Sequence, residues 1–127
     1  MSEISITHMD TLLIIAAFAP NYFDKQSIYS VNTINSSDNI IGVSLCNKQQ
    51  STVILYDLNK TQSGKYTVNI KDELLNVIMN LKPNKKYVIN MCNEKYDKKS
   101  CIQYSDNHGI IAFKIKDPGT WEISLVY

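Results

Sequence analysis

His108 follows Asp106 by two positions, and Cys101 stands shortly before them, so a thiol, an imidazole and a carboxylate share one short stretch. A cysteine activated by a histidine that a carboxylate orients could carry out acyl transfer. The local composition argues otherwise. Asp106-Asn107-His108-Gly109 has the make-up of a tight turn between strands, which leaves the imidazole in solvent. Paired carboxylates for glycoside cleavage are equally unsupported, because most of the 12 acidic residues fall in loops. Four glycines leave no phosphate-cradling loop. His8 and His108 are the two histidines and no Cys-x-x-Cys occurs, so no metal and no cofactor are expected. No residue is assigned a catalytic role, and the chain reads as a non-enzyme.

Two further chemistries remain. Cys92 and Cys101 flank a polar turn, and a hairpin that sets them opposite each other also sets Met91 against Ile102 and Ile89 against Tyr104 on the buried side. A disulfide there would contribute roughly 2 to 3 kcal/mol by the loop-entropy argument. Two free thiols in a reducing cytosol are the equal alternative. Cys46 has no evident partner. Among the 8 tyrosines, Tyr56 and Tyr96 are candidates for stacking against a ligand such as a sugar, since a phenol offers apolar area with a polar tip. Scattered core and rim tyrosines are the competing explanation.

The elements that must position these groups centre on one corner, Leu81-Lys82-Pro83-Asn84-Lys85-Lys86-Tyr87. Before it, Leu75, Val77, Met79 and Leu81 share one side, with Asn76 and Asn80 on the other. After it, Tyr87, Ile89 and Met91 share a side. A period of two predicts a half-buried strand on each flank, and Pro83, which cannot donate to a ladder, belongs in the turn. Upstream, strands are expected at 3–8, at 27–34 as an irregular or edge strand, and at 41–46 paired as a hairpin with 52–58. Another is expected at 65–70, with Tyr66, Val68 and Ile70 inward. Residues 11–19 are apolar on every side and fit a doubly buried strand or a buried helical turn. Asp117-Pro118-Gly119 predicts a last hairpin with Ile115 opposite Trp121, Phe113 opposite Ile123, Ile111 opposite Leu125, and Lys114 facing Glu122 in water. The fold class expected is an all-β, antiparallel sandwich spanning residues 1–127.

The spacing Leu81-x-Pro83-x-x-x-Tyr87 resembles the corner between the fifth and sixth strands of fibronectin type III and related immunoglobulin-like sandwiches. That resemblance implies an immunoglobulin-like fold in which the Tyr87 hydroxyl bonds back to backbone just upstream. Through the order strand, corner, strand, then Asp106-Asn107-His108-Gly109 before a last hairpin, the chain is also loosely similar to the C-terminal sandwich modules of polysaccharide lyases and glycoside hydrolases. This second likeness implies a carbohydrate-associated accessory role within a larger protein.

Composition narrows the partners. A hydrophobic content of 44% with 20% charged residues is ordinary for a folded protein. The 13 basic residues are all lysine, and the net charge is +1. Without the planar fork of arginine, a nucleic-acid reader is not expected. The run from Leu12 to Pro20 is too short for a membrane span, and no secretory signal is read at the start. Localisation stays open: cytosolic synthesis, or a component of a virion or surface assembly. In the run, Leu12, Leu13, Ile14, Ile15 and Phe18, followed by Tyr22 and Phe23, form a candidate interface, and residues 1–23 a candidate docking segment. The function expected is a structural or interaction protein, with a second copy or a parent domain as partner. The alternative is the carbohydrate-associated module.

Overall fold

Strand-forming residues punctuated by Asn, Gly and Pro turns account for all the regular structure in the computed structural model, which describes residues 30–46, 51–58 and 64–126. The elements expected at 3–8 and 11–19, and the candidate interface from Leu12 to Phe23, lie outside the described residues. Ten strands follow in order: β1 (Ser30–Thr33), β2 (Asn35–Ser36), β3 (Ile40–Cys46), β4 (Ser51–Asp57), β5 (Gly64–Ile70), β6 (Leu74–Met79), β7 (Lys86–Asn93), β8 (Lys98–Tyr104), β9 (Ile111–Ile115) and β10 (Gly119–Val126). They form two five-stranded sheets. Sheet A has the order β1-β3-β4-β6-β9 and sheet B the order β2-β5-β10-β7-β8. The architecture is thus all-β, with two sheets packed face to face.

The inner faces share one core. Sheet A contributes Ile40, Val53, Leu55, Leu74, Ile78, Ile111 and Ile115, and sheet B contributes Tyr66, Val68, Ile70, Tyr87, Ile89, Trp121, Ile123 and Leu125. Trp121 is 1% exposed, so the inward reading of the last strand holds. Its indole N–H donates to the Asp117 carbonyl at 3.0 Å, and the Lys99 ammonium sits 5.8 Å from the ring centroid while pairing with Asp117. An indole buried at one end and capped by polar groups at the other satisfies both halves of its chemistry.

Three features depart from the expectations above. First, β4 and β6 pair in parallel, with Ile54 opposite Val77 and Leu55 opposite Ile78. The chain leaves β4, crosses to sheet B for β5, and returns, so β6 runs in the direction of β4 and cannot complete an antiparallel pair with it. The other ladders are antiparallel.

Second, β9 and β10 do not form a hairpin. Asp117-Pro118-Gly119 carries the chain from sheet A, where β9 pairs with β6, to sheet B, where β10 lies between β5 and β7. Trp121 therefore faces Val68 and Asn93 along its own sheet rather than Ile115. Lys114 pairs with Glu73 at 3.1 Å and not with Glu122. The inward and outward alternation of β9 and β10 is as expected and the partner is not, because alternation says which face is buried and not which strand lies alongside.

Third, the β7–β8 register sets Ile89 opposite Cys101, Val88 opposite Ile102 and Cys92 opposite Lys98. The turn is tighter than expected: Asn93 closes it through its side-chain carbonyl oxygen, which accepts from the Lys95 and Asp97 N–H groups at 3.0 and 2.9 Å. The register slips by an odd number of residues, which turns Ile102 and Tyr104 outward to 54% and 68% exposure.

Candidate interaction surface

Sheet A carries a second apolar cluster on the face turned away from sheet B: Val43, Leu45, Ile54, Val77, Met79 and Ile110, with Tyr56, Leu75 and Ala112 packed against it. The registers explain its shape. Val43 lies opposite Ile54, Ile54 opposite Val77, and Val77 opposite Ala112, so one apolar row runs across four strands. Leu45, Thr52 and Leu75 make a parallel row beside it. Val43, Ile54 and Val77 are closed to solvent at 0% exposure. A sheet in a two-layer sandwich has one apolar face and one wet face. No described strand lies over the outer face of sheet A.

This arrangement inverts the expected roles in β6. Leu75, Val77 and Met79 build the outer cluster, whereas Asn76 points between the sheets. It is fully buried there, accepting from the Tyr66 hydroxyl at 2.9 Å and donating to the Leu74 carbonyl at 3.2 Å. The sequence did contain the signal. Thr52-Val53-Ile54-Leu55-Tyr56 and Leu74-Leu75-Asn76-Val77-Ile78-Met79 are nearly unbroken apolar runs, the mark of strands buried on both faces.

The corner at one end of the sandwich behaves as a unit. The Lys82 N–H donates to the Tyr87 hydroxyl at 3.0 Å, the backbone contact that the resemblance at this corner implies. Ser105 is buried; its hydroxyl donates to the Lys82 carbonyl at 2.5 Å and accepts from the Lys85 N–H at 2.9 Å. Leu81 N–H donates to the Gly109 carbonyl at 3.0 Å and Asn84 N–H to the Asp106 carbonyl at 3.1 Å. The 81–87 corner and the 105–110 turn are thereby stitched together.

The residues singled out for chemistry are dispersed. His108 is exposed at the tip of its turn. The Asp106 carboxylate accepts from the backbone N–H groups of His108 and Ile110 at 2.8 and 3.0 Å, so its Oδ1 caps the turn. Cys92 lies on the outer face of sheet B and Cys101 on the inner side, and both are free thiols. The disulfide drawn between them is ruled out in this register, because they sit three positions apart on opposite faces of the ladder. Tyr56 stands half-buried at the margin of the outer cluster of sheet A, and Tyr96 is 82% exposed in the β7–β8 turn of sheet B. They belong to different sheets and form no joint stacking platform. Among the described residues no group of three or more His, Cys, Asp or Glu side chains could hold a metal ion. Among them, too, no helix is long and apolar enough to cross a membrane.

Burial pushes the Tyr66 phenol well above its ordinary pKa, and the neighbouring Cys101 adds to the rise. Tyr87 is also raised, by burial foremost, against the lowering effect of the Lys82 N–H. Both are neutral hydrogen-bonding groups that hold the structure together. Comparison with protein-family models and with curated proteins yields no match for this chain.

Proposed function

We propose that this chain is a non-enzymatic β-sandwich subunit that self-associates or docks in a larger assembly such as a virion, filament or surface layer. The observation that carries the reading is the outer face of sheet A, apolar across β3, β4, β6 and β9 where a two-layer sandwich needs a wet face. The centre of that face is already closed to solvent within the chain, with Val43, Ile54 and Val77 at 0% exposure, so a subunit contact there exchanges a cover instead of filling an open patch. The composition that fits it is the run Leu12, Leu13, Ile14, Ile15 and Phe18 with Tyr22 and Phe23. Passed from one copy to the next, that run would make a subunit contact of the exchanged-segment kind.

The immunoglobulin-like likeness is supported by the Lys82–Tyr87 hydrogen bond and by the corner's passage from sheet A to sheet B. The parallel β4–β6 ladder and the order β5-β10-β7-β8 stand apart from the antiparallel sheets of that family. The likeness is therefore carried by the corner.

The test is light scattering on the full chain across a wide concentration range, with Ile14→Asp as the comparison. The expected result is an oligomer that the substitution dissociates while the sandwich retains its near-ultraviolet spectrum. A strict monomer at high concentration overturns the proposal.

A further inference from the structure

Sheet B exposes a surface whose composition changes sharply along its length. On its outer face Val126 lies opposite Val88, and Val88 opposite Ile102, so three apolar residues form one row across β10, β7 and β8. Tyr104 stands beside the row, opposite Lys86. Ile102, Tyr104 and Val126 are 54%, 68% and 36% exposed. The next row inward, Ser124, Asn90 and Ser100, is polar, and the Ser100 hydroxyl donates to the Asn90 side-chain carbonyl at 2.8 Å. One row is thus satisfied within the sheet, and the other is left apolar in water.

The apolar row runs straight to the outer edge of β8. Among the described residues β8 pairs with β7 alone, so its other side presents alternate N–H and C=O groups. Edge strands that are kept from pairing carry charges, above all lysine. Lys98 and Lys99 do this for the first part of β8, and Lys99 is held back by its ion pair with Asp117. Cys101-Ile102-Gln103-Tyr104 has no charge at all.

We propose that this half of β8 is a self-pairing edge, and that its occupant is the β8 edge of a second copy running antiparallel about a two-fold axis at Ile102. The inference rests on the self-association reading and names a surface for it. Two points favour a second copy over another strand. Setting Ile102 against Ile102 continues the Val126, Val88, Ile102 row without interruption into the same row of the second copy, which is the self-complementarity a two-fold interface requires. Antiparallel pairing also moves the two lysine pairs to opposite ends, whereas a parallel pair would stack them.

The experiment is sedimentation velocity on the wild-type chain, Ile102→Lys and Val88→Lys, together with amide hydrogen exchange across residues 98–104 at low and high concentration. The proposal expects a concentration-dependent dimer, slower exchange in β8 when dimeric, and dissociation strengthened by about tenfold or more in Ile102→Lys, a change of about 1.4 kcal/mol. Circular dichroism of both variants checks that the fold is kept, and the exchange measurement on wild type stands without them. Self-association that persists in both variants with no protection in β8 overturns this edge and leaves the broader reading intact. A wild-type monomer at every concentration overturns both.

Discussion

The Tyr66 hydroxyl, in β5 of sheet B, donates to the Asn76 side-chain oxygen, in β6 of sheet A, at 2.9 Å inside the shared core. This bond ties the two sheets together at a point where Asn76 is fully buried. Tyr66→Phe would leave the Asn76 oxygen unpaired and away from water, at a cost of about 1 to 3 kcal/mol. Urea denaturation is the measurement. Adding Asn76→Leu to Tyr66→Phe is expected to recover most of the loss, because an apolar pair of similar volume leaves nothing unsatisfied.

The same phenol sets an alkaline limit. Burial raises the folded pKa of Tyr66, and to a lesser degree that of Tyr87, above an unfolded value of about 10. A folded pKa above the unfolded one means that the stabilisation is fully present below about pH 10 and is lost as pH rises from there through the folded pKa. Thermal melting points should be flat through neutral pH on this account and fall above about pH 10. Tyr66→Phe should flatten that alkaline fall. An equally steep fall in the variant would assign it to other groups.

At the corner, Tyr87→Phe removes the acceptor of the Lys82 N–H and is expected to cost about 0.5 to 1.5 kcal/mol. Ser105→Ala removes both a donor and an acceptor from a buried position, and the cost rises to about 1 to 3 kcal/mol. The order of the two losses in chemical denaturation is the check, with Ser105 the larger.

Gly109 has a φ of 74°, and a Cβ there would lie 2.2 Å from the Leu81 carbonyl oxygen. Gly109→Ala should lose about 1 to 2 kcal/mol from the left-handed backbone alone. Displacing the corner that holds Leu81 adds to this. A melting point unchanged from wild type would contradict the contact between the 105–110 turn and the corner.

Cys92 lies opposite Lys98, three residues along β8 from Cys101, a separation of roughly 10 Å along the strand. That exceeds the Cα separation a disulfide spans, about 4.4 to 6.8 Å. Mild oxidation followed by peptide mapping should yield no intramolecular Cys92–Cys101 bridge; finding one would require the other register.

Much of the local structure was legible. Pro83 and Asn84 marked the corner, Tyr66, Val68 and Ile70 gave the buried side of β5, and Trp121, Ile123 and Leu125 that of β10. The outer cluster was not legible, because Leu75, Val77 and Met79 look like any core face and a polar Asn76 reads as an outside residue. Only the Tyr66 hydroxyl across the core makes Asn76 an inner residue. The exposed row Val126, Val88, Ile102 was equally hidden, since its members lie far apart in the chain and meet only through two ladders.

By itself, then, the sequence determined where strands run and which turns separate them, because alternation and Asn, Gly and Pro chemistry act over a few residues. It also established the spacing that lets Tyr87 reach the backbone at Lys82. Tertiary structure alone decided which strands became neighbours: β10 between β5 and β7, β6 parallel to β4, Cys101 beside Ile89. The physical reason is that a strand's two faces are written in its own residues, whereas the partner along its edge is selected by backbone hydrogen bonds that every strand can make. Only packing of the whole chain chooses among them.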